Sequence, residues 1–266
     1  MSLRKKILRK LVHYKKLLAS YSDENTIFIY QMGKVGSTTL ENSLPNAVHI
    51  HAFYSKNHTC RIRQYGLAKF GFKHFLYRVE QELLNFLLRW VFKGRKHTKI
   101  ITLVRDPFVR NMAMFFHDLD AYLYAAHTNC MNTRAKPIPT RSQKPSVLFD
   151  IFTEEFDHEY AINWFDKEFF PMTGINIFQY AFDKQKGVTR IQDKNIDILC
   201  LSCEKMLDNE QAISDFTGCK VEIESANKAE DKWYGDLYKQ FKVDYVLPKL
   251  ISNKILNSRF YQHFFS

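Results

Sequence analysis

Residues 31 to 40 read Gln-Met-Gly-Lys-Val-Gly-Ser-Thr-Thr-Leu, and these are the residue types that could do chemistry. Gly33 and Gly36 allow a tight backbone whose N–H groups can turn inward, with Val35 between them. Lys34 places a full positive charge at the mouth of the turn. Ser37, Thr38 and Thr39 add hydroxyl donors. A helix starting at Ser37 contributes unpaired N–H groups and a partial positive charge. The combination suits a phosphate or sulfate group. It is not a Walker A loop, because Lys34 precedes the second glycine and the loop is shorter than Gly-x4-Gly-Lys-Ser/Thr. Magnesium held in the Walker manner is therefore not indicated, no metal is expected, and a kinase is disfavoured.

Two other segments carry matching chemistry. Arg105 follows the apolar run 99–104, where an open α/β sheet binds ligands, and its guanidinium can hold a phosphate bidentately. Arg110 and Asn111 lie close behind it. His49 and His51 alternate with Ile50 on a short strand, so they share a face. An unperturbed imidazole titrates near neutral pH, as a general base requires. His51, nearer the strand's carboxyl end, is the preferred base. His117 is a further candidate, and Glu204 reads as structural. Lys228 and Lys232 could close over a ligand from the C-terminal region. Plainer readings remain open: hydrogen-bonded structural histidines, and Asp106 capping a helix beside a structural Arg105.

These residues need a frame that brings strand ends together. Residues 26–30, 47–51, 99–104 and 196–201 read as buried strands, and 176–182 with 187–192 as two more, paired as a hairpin. Helices are expected over 37–44, 73–92, from 107 to about 126, in two pieces ending near 170, over 204–217, and from 231 onward with a break at Pro248. The periodicity of 73–92 runs through Phe75, Leu76, Val79, Leu83, Phe86, Leu87 and Trp90. Strands alternating with helices predict an α/β fold of the P-loop type, three layers with a central, mainly parallel sheet flanked by helices. Residues 1–22 form a basic amphipathic helix and 23–266 a single domain, with 127–146 a long loop or lid.

Composition sets the outer bounds. The chain has 266 residues, enough for one large core, and 23 Phe with 14 Tyr promise that the core is aromatic. A net charge of +11 favours anionic partners. Nucleic acid would satisfy the charge alone, but no recognition motif accompanies it, so none is expected. Five cysteines, an odd number, point to a reducing compartment. Cys200 and Cys203 have the spacing of half a zinc site with no second half to complete it. Without a secretory leader the chain reads as cytoplasmic. The helix 1–22 either rests its basic side on the inner face of an anionic membrane or packs on the domain.

Gly-Lys-Val-Gly-Ser-Thr-Thr after a buried strand resembles the 5′-phosphosulfate loop of sulfotransferases. The wider pattern resembles the sulfotransferase-like family of capsular polysaccharide synthesis proteins. It includes Gln31–Ser37, His49–His51, Val104-Arg-Asp-Pro-Phe-Val-Arg-Asn111, Asn163-Trp-Phe-Asp-Lys-Glu168 and Asp231-Lys-Trp-Tyr234. The resemblance implies 3′-phosphoadenosine 5′-phosphosulfate as donor, with Arg105 on the 3′-phosphate and Lys34 on the transferring group. It implies a hydroxyl of a carbohydrate as acceptor. The family pattern places Ser eight residues after the arginine, and here that position is Ala113, which implies either compensation by Arg110 and Asn111 or a weaker hold on the 3′-phosphate. A catalytically degenerate member that binds nucleotide or glycan is the alternative reading.

Overall fold

Four short apolar runs become the parallel strands of one sheet. They are β1 (Ile27–Tyr30), β2 (Ala47–Ile50), β3 (Thr98–Val104) and β5 (Ile196–Ser202). β1 and β5 are buried at every position, the pattern of strands covered on both faces. The order across the sheet is β2-β1-β3-β5-β4, and β4 (Val188–Asp193) alone runs antiparallel, as the edge hairpin partner of β5. The computed structural model describes residues 3–44, 46–54, 60–124, 145–223 and 232–266. Of the stretch 127–146 expected as a lid, 127–144 lies outside them, as does Lys228, while residues 145 and 146 open a helix.

Helices flank this sheet. Before β3 the chain forms α1 (Leu3–Ser22), α2 (Ser37–Ser43), α3 (Cys60–Phe70) and α4 (Phe72–Lys93). After β3 come α5 (Pro107–His117), started by the Asp106 side chain accepting from the N–H groups of Phe108 and Val109, and α6 (119–124). The chain continues through α7 (Pro145–Glu155), α8 (Tyr160–Trp164), a π-helical turn Phe165–Phe169 and α9 (Phe170–Thr173). After β5 come two 3-10 turns, α10 (Glu210–Thr217), α11 (Gly235–Asp244), α12 (Lys249–Leu256) and α13 (Arg259–Phe264).

The abundant aromatics occupy two cores. One surrounds the sheet and includes Phe28, Tyr30, Phe92, Trp164 and Phe169. The other joins α5 and α6 to α7 and α11, where Phe116 packs on Tyr238 and Phe241 at ring distances of 5.2 and 5.1 Å.

Three expectations need correction. Residues 176–182 are not a strand: Asn176 caps a 3-10 turn, Ile177–Gln179, and the hairpin is β4–β5, turning at Lys194 with φ 53°. The helix expected over 204–217 starts only at Glu210, because Glu204 is drawn into hydrogen bonds with Ser202 and the Asp106 N–H. The helix after Arg105 does not run unbroken, for Asp118 interrupts it. On α4 the residues that carry the periodicity face solvent, while Leu88 and Phe92 face the core.

Glu168, on the π-helical turn, ties distant strands together. It is fully buried, accepts from the Tyr30 hydroxyl at 2.7 Å, and accepts from the backbone N–H groups of Phe53 and Tyr54 just past β2. A buried carboxylate without donors is costly, so all three donors matter. Glu168→Ala leaves these buried donors unmet, at about 1–3 kcal/mol each, and Tyr30→Phe is expected to cost about 1 kcal/mol. Urea denaturation would show this; equal small losses for both would mean that the carboxylate is not the organising group.

Candidate functional site

The four parallel strands all end on the same edge of the sheet, and a cleft of about 1130 Å³ opens there. Its walls include the loop after β1 (Gly33, Lys34, Gly36), the segment after β2 (His51 to Tyr54), Arg105 after β3, and Cys203 with Glu204 after β5. Helix α5 contributes Arg110, Ala113, Met114 and His117. The C-terminal region contributes Lys232, Tyr234 and Tyr238.

The loop has an unusual backbone. Gly36 sits at φ 93° as the N-cap of α2, and a Cβ there would lie 3.0 Å from the Cys203 sulfur, so only glycine suits the position. The other left-handed residue is Lys34, at φ 70°, rather than Gly33. An L-residue held there is strained by about 1 kcal/mol, and such strain concentrates at functional sites.

Two arginines hold this shape. Arg105 Nη1 donates to the Lys34 carbonyl at 2.9 Å, and Arg110 Nε donates to the Gly33 carbonyl at 3.0 Å. Arg110 is buried, donates also to Asn111 Oδ1 at 3.1 Å, and lies 4.9 Å from the centre of the Tyr160 ring. Asn111 in turn donates to the His158 carbonyl at 3.0 Å. Both arginines expected to meet a ligand therefore also brace the loop. Turning two carbonyls toward guanidinium groups keeps their negative ends away from an incoming anion.

The cations converge. Burial lowers the Lys34 pKa, Asp118 opposes that, and Lys232, Arg110 and Arg105 lower it further. Lys232 thus reaches the loop from the far end of the chain, carried by the packing of α11 on α5. Ser37 and Thr38 are half-buried on the cleft wall and Thr39 is buried beside them, while the Val35 side chain points into the core and offers the cleft only its backbone.

His49 and His51 do share a face, with ring centres 4.1 Å apart. Neither keeps the near-neutral pKa expected of it. Burial pushes both down to about 4, and His51 is lowered further by His49. His49 Nδ1 lies 3.3 Å from Glu41 Oε1, but burial outweighs that carboxylate and the ring is neutral. His51 Nδ1 lies 3.4 Å from the Gln31 carbonyl. A carbonyl can only accept, so the proton sits on Nδ1 and Nε2 keeps its lone pair. Trp164 fixes the His51 backbone by donating to its carbonyl at 3.3 Å. His117 is lowered to about 4 by burial and then by Lys34, His51 and Lys232.

Asp118 was not singled out in the sequence. Burial raises its carboxyl to about 6 against the pull of Lys34 and Arg110. Asp118 follows Met114 by four residues and Arg110 by eight, on the face of α5 that lines the cleft, so helical spacing from Arg110 is the signal that could have found it. Ala113, where the family pattern has Ser, is buried and lines the cleft. Glu204 is the structural link described above. Cys200 is buried in β5, and the Cys203 thiol is pushed up to about 11 by burial. Among the described residues no group of His, Cys, Asp and Glu is placed to hold a metal ion.

A family model described as "Putative capsular polysaccharide synthesis protein" matches residues 142–266. The match covers α7 onward, including Lys232, and stops short of the loop at 31–39 and of Arg105. No curated protein and no solved structure matches the chain.

Two predictions arise from this geometry. Lys34→Gly relieves the left-handed strain but removes the charge, so the fold should become about 1 kcal/mol more stable while anion affinity falls at least tenfold; a loss of stability would refute the strained assignment. The second concerns pH. The histidine pKa values are lowered on folding, so the unfolded chain takes up protons first and their contribution to stability is lost as pH falls from about 6.5 to about 4. The Asp118 value is raised, so it acts in the opposite sense, favouring the fold as pH falls from about 6 toward 4. Replacing His49, His51 and His117 with Gln should flatten the acid side of the stability curve, and Asp118→Asn should steepen it.

Proposed function

We propose that this protein is a sulfotransferase that moves a sulfuryl group from 3′-phosphoadenosine 5′-phosphosulfate to a hydroxyl of a carbohydrate, on a P-loop-type frame. The observation that carries the reading is the convergence of Lys34, Arg105 and Lys232 on a strained loop at the carboxyl ends of parallel strands. The coarser role in polysaccharide synthesis is suggested by the family match, which covers just under half of the chain.

In this reading the loop holds the 5′-phosphosulfate, with Gly36, Ser37, Thr38 and Thr39 around it. Arg105 extends from its bond with the Lys34 carbonyl to the 3′-phosphate, and Arg110 braces the loop from behind. The acceptor oxygen attacks sulfur in line. The bond from sulfur to the phosphate oxygen breaks, and adenosine 3′,5′-bisphosphate leaves. Lys34 neutralises charge growing on the leaving oxygen, and the acceptor's proton passes to His51 Nε2.

The low pKa of His51 in the free protein is compatible with this role. An incoming anion cancels the surrounding cations and favours the imidazolium, raising the ring's pKa toward the working pH. By linkage, nucleotide should bind more tightly as pH falls through the bound-state value.

Calorimetric titration with adenosine 3′,5′-bisphosphate, AMP and Mg-ATP tests the donor site. At least a tenfold preference for the 3′-phosphorylated nucleotide is expected, lost in Arg105→Ala. Transfer of labelled sulfate to a glycan mixture should then depend on Lys34. Binding with that preference but without transfer would favour the degenerate reading, to which Ala113 gives a physical basis. Absence of any preference would sink the donor assignment.

A further inference from the structure

Helix α4 has two apolar faces. Leu88 and Phe92 face the sheet. The opposite face carries Phe72, Phe75, Val79, Leu83, Phe86 and Trp90 in one helical stripe, and all six are exposed, Phe72 by 70%, Leu83 by 64% and Trp90 by 76%. Nineteen residues of helix from 72 to 90 span about 27 Å at 1.5 Å per residue. A continuous exposed apolar stripe of this length marks an interaction surface rather than scattered surface residues.

Helix α1 lies beside it. The two pack together, Lys10 donating to Glu80 at 2.8 Å and the Tyr14 hydroxyl donating to the same carboxylate. The C-terminal part of α1 is anchored in the core through Tyr21, whose carbonyl accepts from buried Arg95 at 2.6 Å. The N-terminal part is not: Leu8, Leu11 and Val12 are exposed on one side of it. Between residues 3 and 22 the sequence has seven Lys and Arg and no Asp or Glu.

We propose that the exposed stripe of α4, together with the N-terminal half of α1, is a docking face for an anionic lipid bilayer. The charge chooses this occupant. Aromatic and aliphatic side chains flanked by Lys and Arg are the composition of helices that lie in the headgroup region, and anionic lipid adds attraction for each cation near the surface. A second copy of the chain is the competing occupant. A two-fold pairing of this face would bring two copies of the cation-rich α1 to one interface, which opposes association. No described helix is long and apolar enough to cross a membrane, so α4 lies along the surface. Tyr77, Gln81 and Asn85 meet the cleft on the same side of α4 as Leu88, so the docked protein would carry its cleft on the side of the helix away from the lipid.

Flotation of the full chain with vesicles of phosphatidylcholine, with and without phosphatidylglycerol, tests this without reference to any enzyme activity. Binding is expected only with phosphatidylglycerol. It should fall at least tenfold in Phe86→Glu/Trp90→Glu and in Lys5→Glu/Arg9→Glu. These side chains are exposed, so the far-UV circular dichroism of the variants should match the parent. The tryptophan emission should shift to the blue on anionic vesicles, and Trp90→Phe should abolish most of the shift. No binding to anionic vesicles, or binding insensitive to Phe86→Glu/Trp90→Glu, would overturn the proposal. So would a dimer in solution that the same double substitution dissociates.

Discussion

Arg110 is the group on which the cleft depends. A buried guanidinium cannot leave its donors unmade, so it fixes what surrounds it: the Gly33 carbonyl, the Asn111 side chain and the Tyr160 ring. Arg105 does the same for the Lys34 carbonyl from the end of β3. Lys34 is held in a left-handed conformation that an L-residue rarely takes. The strain is sustained because neighbouring groups over-determine the loop.

Behind the loop, Glu168 plays the corresponding part for β2. Its carboxylate gathers the Tyr30 hydroxyl at the end of β1 and the backbone just after β2. Trp164, four residues earlier on the same helical segment, holds the His51 carbonyl. The α8 to π-helix segment therefore sets where the histidines sit relative to Lys34. The histidines are kept neutral by burial, and around Lys34 the cations Lys232, Arg110 and Arg105 gather with Asp118 as an opposing acid, so the loop end of the cleft is positive in the free protein. Such a cleft attracts anions and changes its protonation when one arrives.

Helix α4 has two sides. The side of Leu88 packs in the core and lines the cleft, and the other carries an apolar stripe to solvent beside the basic α1. A change along its outer side is separated from the cleft by the thickness of a single helix.

Apolar β-branched runs and a glycine-bearing turn are local patterns, and they were enough to find the four parallel strands, the edge strand and the loop at 31–39, but they also suggested a strand at 176–182, gave no sign of α3 and began the helix after β5 too early. The sequence by itself located Lys34, Arg105, His49 and His51 on strand ends for the same reason. Only the tertiary structure decided the rest. Nothing local tells that Lys34 rather than Gly33 takes the positive φ, since that comes from arginines 71 and 77 residues away. The lowered histidine pKa values come from burial, and burial is a property of packing. Asp118 shares a helical face with Arg110 and Met114, but which face of α5 meets the loop is settled by packing. Residues 204–209 yield their helix to hydrogen bonds with the end of β3. In α4 the period was legible but the face was not, because the helix is apolar on two sides, and which side meets the core depends on what the sheet presents to it.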